Sequence, residues 1–294
     1  MLLTGASGFL GRLVFERLRS RGDEVVAVAR RLDAATAAPG ILQVAADLTG
    51  SAWSAWAAGC QAAIHLAGLA PQPPRAGAPF ERAHRVATER VVAACLELGI
   101  DRLVTVSALG ARRDAPSAFH RSKWEAEEVV RDSPLAWTIV RPALMFGPGD
   151  GLAAGIARAL RSGLPVLVPG DGRARLQPVA ATEVADVLVA CLERPATIHQ
   201  FVDLGGPEPL TVDDVIVRSG RALGRRRLML HFGDGTPRPL AALLELLPAT
   251  PLSRERLAAL GAGATCDIEP ARSLFGVPHQ RFEGPVWLAR RRGA

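Results

Sequence analysis

Short, uninterrupted apolar runs alternate with longer segments whose apolar residues recur every three or four positions. Runs of the first kind are typical of strands buried on both faces of a parallel sheet, and the longer period is that of an amphipathic helix. The predicted strands are 1–3, 24–29, 42–46, 62–68, 102–106 and 137–140; helices are predicted after Gly11 and over 53–58, 80–98 and 117–131. This alternation predicts an α/β fold with a doubly wound parallel sheet of the Rossmann type.

Beyond Pro142 the pattern is less regular, and the predicted elements are smaller. They are a loop at 147–151, a helix at 152–160, an extended segment at 165–169, a helix capped by Thr182 that runs through Leu192, a strand at 200–204, a capping box of Thr211 with Asp214, and Ser253 as the N-cap of a helix at 254–260. The proline-rich stretch 71–79 is predicted to be a loop. We therefore expect a Rossmann domain of residues 1–145, to which 177–204 return, and a smaller C-terminal lobe of 146–176 and 205–294.

Composition narrows the class of protein. The chain is 49% apolar and 22% charged, and no apolar run approaches the length of about 20 residues that a membrane span needs. The four scattered cysteines predict neither a disulfide framework nor a metal site, so a reducing, cytoplasmic location is expected. The net charge is +6, but the arginines are dispersed except at 290–292, so no nucleic-acid partner is expected.

The first candidate for chemistry is the glycine-rich stretch from Thr4 to Gly11, with the spacing G-x-x-G-x-x-G. It lies between a predicted strand and a predicted helix, where glycines let the backbone approach a pyrophosphate at the helix N-terminus. An ordinary glycine turn is the alternative. Arg30 and Arg31 end the second strand, where an arginine accommodates a 2′-phosphate, and the first acidic residue, Asp33, comes later. This favours NADP(H) over NAD(H), with a simple charged loop as the alternative.

Further motifs follow in a fixed order. They are Asp47-Leu48, His65–Gly68, Val104–Ser107, Phe119–Lys123, Arg141-Pro142-Ala143, Phe146–Asp150 and Gln177-Pro178-Val179. Together with the glycine stretch, they resemble the extended and atypical short-chain dehydrogenase/reductases over essentially the whole chain. The branch they resemble is related to an NADPH-binding accessory subunit of respiratory complex I and to bacterial proteins described as NAD-dependent epimerase/dehydratase-like.

The resemblance implies cofactor roles for the matching positions. Around the pyrophosphate it places Gly5, Ala6, Ser7, Gly8, Phe9 and Leu10; at the 2′-phosphate Arg30 with Arg31; at the adenine Asp47 and Leu48; along the ribose path Leu66, Ala67 and Gly68; and beside the nicotinamide Pro142 and Ala143. Val106 and Lys123 complete the implied cofactor set. The alternative for each position is a core or turn residue of the same sheet.

The catalytic positions depart from the family's pattern. The family's reaction uses a tyrosine four residues before a lysine, and here Phe119 precedes Lys123, the only lysine in a chain without tyrosine. A phenyl ring has no proton to give. The family's serine corresponds to Ser107 or to Ala108, and its asparagine to Arg85. His120 is one residue away from the tyrosine position, so its side chain should point about 100° away on the helix.

Two classes of function follow from these residues. The first is an NADP(H)-binding protein without tyrosine-dependent chemistry, acting as a redox sensor or as an accessory subunit of a larger assembly. The second is an active reductase, epimerase or dehydratase for a carbonyl or sugar-nucleotide-like substrate, with water, Ser107 or His120 in place of the tyrosine. Helices flanking such sheets often pair in the family, so a homodimer is one of the assemblies that the sequence leaves open.

Overall fold

The computed structural model describes residues 1–31, 39–70, 79–232 and 265–289. Asp33, the arginines at 290–292 and the predicted N-cap Ser253 with its helix lie outside these residues. The predicted loop at 71–79 also lies outside them, except for its last residue, which begins a helix.

The described elements alternate between strand and helix through the first half of the chain. The strands are β1 (Leu2–Thr4), β2 (Val25–Ala29), β3 (Ile41–Ala45), β4 (Ala62–His65), β5 (Arg102–Val106), β6 (Ala136–Pro142), β7 (Met145–Phe146), β8 (Val166–Pro169), β9 (Arg175–Leu176), β10 (Val179–Ala180), β11 (Gln200–Leu204), β12 (Leu210–Thr211) and β13 (Met229–Phe232). The helices are α1 (Phe9–Ser20), α2 (Pro79–Glu81), α3 (Ala87–Leu98), α4 (Ala118–Arg131), α5 (Gly151–Arg161), α6 (Ala181–Cys191), α7 (Val212–Ala222), α8 (Glu269–Phe275) and α9 (Val286–Ala289), with a π-helical turn at Arg82–Val86 and 3₁₀ turns at Ser54–Ala57 and Pro195–Thr197.

Seven strands form one parallel sheet in the order β3-β2-β1-β4-β5-β6-β11. The order reverses between β1 and β4, the topological switch point at which open α/β sheets bind ligands beyond the carboxyl ends of their strands. The predicted α/β fold with a doubly wound parallel sheet is therefore confirmed. Three small two-stranded sheets, β10-β7, β12-β9 and β13-β8, accompany it in the described residues.

Apolar side chains cover both faces of the large sheet. On one face the core includes Val14 and Leu18 of α1 with Val184 and Leu188 of α6. On the other it includes residues of α3 together with Trp53, which is fully buried. A third core lies between α5, α7 and the small strands. The backbone hydrogen bonds of a sheet buried on both faces are satisfied within the sheet.

Several predicted boundaries need correction. Thr182 is not an N-cap: β10 leads directly into α6, whose N-cap is Ala180. The helix predicted over 80–98 is interrupted by the π-helical turn between α2 and α3. The capping box of Thr211 and Asp214 is confirmed, with reciprocal side-chain and backbone hydrogen bonds. All four cysteines are free thiols, and no described helix is long and apolar enough to cross a membrane.

Candidate functional site

A cleft of about 840 Å³ opens at the carboxyl ends of β1–β4, at the switch point of the sheet. Ten of the residues implied at the cofactor line it, namely Gly5, Ser7, Gly8, Arg30, Arg31, Asp47, Leu48, Leu66, Ala67 and Gly68. Thr49, Leu69, Arg82, Ala83 and Ala87 also contribute to the lining. The cleft volume lies within the range of about 300–1,000 Å³ that is usual for ligand pockets.

The glycine turn at the base of the cleft has the geometry that a dinucleotide needs. Gly5 has φ +77°, and a Cβ on it would lie 2.7 Å from the backbone nitrogen of Ala67. A Cβ on Gly11 would lie 2.1 Å from the Gly5 carbonyl oxygen, so α1 packs directly on the turn. Gly8 is the N-cap of α1 and lines the cleft, and no side chain caps the first helical N–H groups. These groups and the helix dipole fit an anionic pyrophosphate.

One end of the cleft is open and basic. Arg30 and Arg31 follow β2, and Arg82 reaches the cleft from the π-helical turn, 68% exposed at its side chain. Arg82 donates to Asp47 Oδ2 at 3.0 Å and to Thr49 Oγ1 at 3.1 Å. Hydrogen bonds from Thr49, followed by the charge of Arg82, lower the pKa of Asp47. The carboxylate is therefore ionised and already paired, and three guanidinium groups share this end.

Behind the cleft wall at Ala67 and Gly68 is a buried region, the closed end of the site, where Lys123 on α4 is only 8% exposed. Its Nζ donates to the carbonyl oxygen of Val106, at the end of β5, at 3.2 Å. A small cavity beside it is lined by Ala67, Val106, Ser107 and Glu127 among others. Burial lowers the pKa of Lys123 to about 8, and the charge of Glu127 opposes that shift. Lys123 therefore titrates near neutral pH. Its Nζ would lie 3.3 Å from a Cβ on Gly68, which is part of the cleft wall.

Glu127 lines this cavity and also forms an ion pair with Arg141 on the neighbouring strand β6. Its carboxylate accepts two hydrogen bonds from Arg141 on β6, at 2.8 Å from Nε and 2.5 Å from Nη2. The guanidinium of Arg141 also lies 3.9 Å from the ring centroid of Phe201. This paired geometry anchors α4, and with it Lys123, on the sheet.

Phe119 lies in an aromatic cluster, one turn before Lys123. Its ring makes edge contacts with Phe80, His84 and His120, at centroid distances of 6.0, 5.6 and 5.2 Å. Ala108 packs against Phe80 and Phe119 in the same buried cluster. The position of the family's tyrosine is therefore occupied by a ring that only packs.

The remaining implied residues lie outside the cleft lining. The side chains of Ala6 and Leu10 belong to the hydrophobic core, and Phe9 lies against the glycines of the 147–149 loop. Pro142 and Ala143 form backbone hydrogen bonds with Leu109 and Leu204, at the end of β6. The buried Ser107 Oγ has no hydrogen-bond partner within the described ranges.

Sequence reasoning missed several residues of the site, among them Arg82 and His84, and matched the family's asparagine to Arg85. Arg85 instead points outwards and pairs with Glu81 and Glu89. His84 is buried and faces Gly68. The four-residue spacing of His84 and Thr88 was the available sequence indication, because residues four apart lie on one face of a helix. The structure shows that both side chains are buried.

Comparison with known proteins agrees with this geometry. Residues 5–195 match a family model described as NAD(P)H-binding. The chain is 30% identical to subunit 9 of the NADH dehydrogenase [ubiquinone] 1 alpha subcomplex from Arabidopsis thaliana; the match covers 72% of this chain and 54% of the subunit, so the chain spans about half of that relative. It is 29% identical to 2-alkyl-3-oxoalkanoate reductase from Stenotrophomonas maltophilia, covering 96% of each.

The fold is also similar to that of a solved structure, MoeE5 in complex with UDP-glucose and NAD, with a TM-score of 0.77 at 21% identity and coverage of 99% and 98% of the two chains. The family model extends over more than half of the sequence. The chain belongs to the NAD(P)H-binding, atypical short-chain dehydrogenase/reductase family. It binds NAD(P)H, and the switch-point cleft has the glycine turn, the volume and the basic rim that fit such a cofactor.

Proposed function

We propose that this chain binds NADP(H) in preference to NAD(H) and does not use tyrosine-dependent chemistry. The observation that carries the proposal is the contrast between the intact glycine cleft with Lys123 and the buried phenyl ring of Phe119. A bound NAD(P)H would supply a hydride. The family's proton donor is absent from the sequence, since the chain has no tyrosine. The protein then acts as a redox sensor or as an accessory subunit.

The cofactor preference is supported by the arginines at the open end. Arg30 and Arg31 line the cleft where a 2′-phosphate is accommodated in this fold, and Arg82 adds a third guanidinium. The carboxylate that lines this end, Asp47, is held by Arg82 and Thr49. A dianionic phosphate is therefore expected to meet net positive charge here.

An Arg30→Ala variant tests the preference. We expect its Kd for NADPH to rise by about tenfold or more, because a charge-assisted contact with the 2′-phosphate is lost. Its Kd for NADH should change little. Arg19→Ala is the matched control, because Arg19 lies at the far end of α1 and pairs with Glu16. Equal losses for both cofactors in Arg30→Ala would refute a 2′-phosphate role.

The second candidate is an active reductase, and the position of Ser107 favours it. The Ser107 hydroxyl is buried, is unpartnered among the described residues and lies in the cavity beside Lys123. The match to the similar reductase from Stenotrophomonas maltophilia extends over nearly the whole of this chain. In this reading, a hydride that bound NADPH would supply, leaving NADP⁺, adds to a carbonyl carbon; the C=O π bond breaks, and the oxygen takes a proton from water and leaves hydroxide.

The two candidates are separated by NADPH consumption over a panel of carbonyl compounds that includes 2-alkyl-3-oxo acids. The preferred proposal expects no turnover by the wild-type protein and a gain of turnover in Phe119→Tyr, where a phenol replaces the phenyl ring. The second candidate expects wild-type turnover that falls in Ser107→Ala.

A further inference from the structure

The π-helical turn Arg82–Val86 lies beside the cleft and carries a buried histidine to which neither function assigns a role. π-helical turns are rare and occur frequently at functional sites. Arg82, at the start of this turn, lines the cleft, and Arg85 points outwards. His84, between them, is 1% exposed and lies against the Lys123 end.

The hydrogen bonds of His84 fix which of its ring nitrogens carries the proton. The Ser122 hydroxyl donates to the Phe119 carbonyl oxygen at 2.8 Å, so its proton is used. The same hydroxyl oxygen lies 2.8 Å from His84 Nδ1 and must accept from it. The other nitrogen, Nε2, then accepts from the backbone N–H of Leu69 at 3.0 Å, and the Leu69 carbonyl oxygen lies 3.2 Å from the same nitrogen.

These two bonds join two parts of the cofactor site. Leu69 closely follows β4, and its neighbours Leu66, Ala67 and Gly68 line the cleft. Ser122 directly precedes Lys123 on α4. One imidazole ring therefore ties the cleft wall to the helix that carries the lysine.

Gly68 lies at the contact between these parts. A Cβ on Gly68 would be 3.2 Å from His84 Nε2 and 3.3 Å from Lys123 Nζ. The ring and the ammonium group thus approach the same backbone atom of the cleft wall. Phe80 stacks on His84, with ring centroids 5.7 Å apart and planes at 18°. The ring has little freedom to move.

A neutral ring is the form that suits this position. Burial and the charge of Lys123 hold the pKa of His84 well below its usual range. A second histidine, His65 on β4, is buried against Thr88 of α3. The Thr88 hydroxyl donates to the His84 carbonyl oxygen at 2.6 Å, so it accepts from His65 Nε2 at 3.1 Å. Neither imidazole then competes with Lys123 for the negative charge of a nucleotide.

We propose that His84 is a positioning residue of the dinucleotide site, which holds Lys123 against the cleft wall by bonding Leu69 with one nitrogen and Ser122 with the other. The proposal rests on dinucleotide binding in this cleft. It assigns to His84 neither contact with substrate nor proton transfer, and it predicts that cofactor affinity depends on both of its hydrogen bonds.

Variants of the intact chain separate the two bonds. Ser122→Ala removes the acceptor for Nδ1–H with little change in volume, and His84→Gln keeps an acceptor near the Nε2 position. His84→Leu removes both bonds. Ser219→Ala is the matched control, because Ser219 is a fully buried serine on α7 whose Oγ donates to the Val215 carbonyl oxygen.

The first measurement is the Kd of each variant for NADPH and for NADH, beside its thermal midpoint. We expect a rise in Kd of about tenfold for both cofactors in His84→Leu, about threefold to tenfold in Ser122→Ala, and a smaller rise in His84→Gln than in His84→Leu. Ser219→Ala should lower the thermal midpoint and leave Kd unchanged. Wild-type Kd values in folded Ser122→Ala and His84→Gln would overturn the proposal, whether or not His84→Leu folds.

The second measurement uses the fact that Lys123 is the only lysine in the chain. In protein labelled selectively at lysine, NMR reports one side chain and therefore the surroundings of Lys123 directly. We expect the signal of the cofactor-free protein to shift or broaden in Ser122→Ala and His84→Leu and to stay in place in Ser219→Ala. An unchanged signal in Ser122→Ala would also overturn the proposal.

Failure of the proposed function gives a different result. If wild-type protein binds NADH as tightly as NADPH, the NADP(H) preference fails while the effect of His84 on both affinities stands. If the preference holds and the His84 and Ser122 variants bind like wild type, only the positioning role fails.

Discussion

The two ends of the cleft differ in how much of their chemistry faces solvent. The end at Arg30, Arg31 and Arg82 is open: Arg30 and Arg31 are exposed, and Arg82 is exposed but paired with Asp47. The end at Lys123 is buried among neutral histidines, an ion-paired glutamate and an aromatic cluster. The contrast teaches that the binding features of the family are kept here, whereas the position of its proton donor has become part of the core.

The largest expected effect concerns the glycine turn that supports both ends. Gly5→Ala places a Cβ 2.7 Å from the Ala67 backbone nitrogen, at a φ of +77°. We expect a rise in NADPH Kd of about a hundredfold, because the clash displaces the cleft wall. Gly22→Ala is the control: it has φ +79° and nothing within 4 Å of the added atom, so it carries the backbone strain alone. Equal effects of the two changes would show that strain, and not the shape of the cleft, decides binding.

The second prediction tests the closed end through acid stability. Burial, followed by the charge of Lys123, lowers the pKa of His65 to about 3 from an ordinary 6.5. Between these values the unfolded chain binds the proton and the folded chain does not, so stability is lost as pH falls below 6.5. We expect the free energy of unfolding to drop by about 1.4 kcal/mol per pH unit from His65, with His84 acting in the same direction.

Denaturant unfolding between pH 7 and pH 5 measures this slope. His65→Gln, which does not titrate there, should show a shallower slope than the wild type. Identical slopes would mean that the histidines at the closed end are hydrated and that this end is as open as the other.

The third prediction concerns the charge on Lys123 during binding. With a pKa of about 8 in the free protein, Lys123 loses its proton as pH rises past that value, and the neutral amine is a poorer partner for ribose hydroxyls and phosphates. NADPH affinity should stay level below pH 8 and fall by up to about tenfold per pH unit above it. Lys123→Met should bind more weakly at all pH values, with no bend near pH 8. A bend of the same size in Lys123→Met would assign the titration to another group.

The smallest expected effect is that of Phe119→Tyr on stability. The added hydroxyl enters a cluster that is 8% exposed at Phe119, and we expect a cost of about 1 kcal/mol measured by denaturant unfolding. A decrease of several kcal/mol in the free energy of unfolding would show that the cluster has no space for a phenol and that the closed end is packed as tightly as a hydrophobic core.

Much of the fold was predictable because each long element has a strong local pattern. The seven strands of the sheet differ from their predicted bounds by a few residues at most, since uninterrupted apolar runs of this length between helices specify buried parallel strands. The two-residue strands β7, β9, β10 and β12 have no such pattern, because their pairing depends on tertiary contacts. Thr182 failed as an N-cap for a similar reason: the turn from β10 already sets the start of α6.

The site was predictable at its open end and not at its closed end. The glycine turn, Arg30 and Asp47 follow strands directly, so strand order alone brings them to one edge. Arg82 and His84 lie on a π-helical turn, which changes the helical phase and turns Arg85 outwards. On that turn His84 bonds Leu69 and Ser122, which lie 15 and 38 residues away in the sequence, so the local pattern does not reveal these contacts.

The measurement that tests the central claim most directly is the fluorescence of NADPH titrated with the wild-type protein, followed by addition of the carbonyl panel to the complex. The claim that the cofactor is held without tyrosine-dependent turnover predicts saturable one-to-one binding, tighter than for NADH, and a fluorescence that persists after the panel is added. Absence of saturable binding, or rapid loss of the NADPH signal to one of the carbonyl compounds, would contradict it.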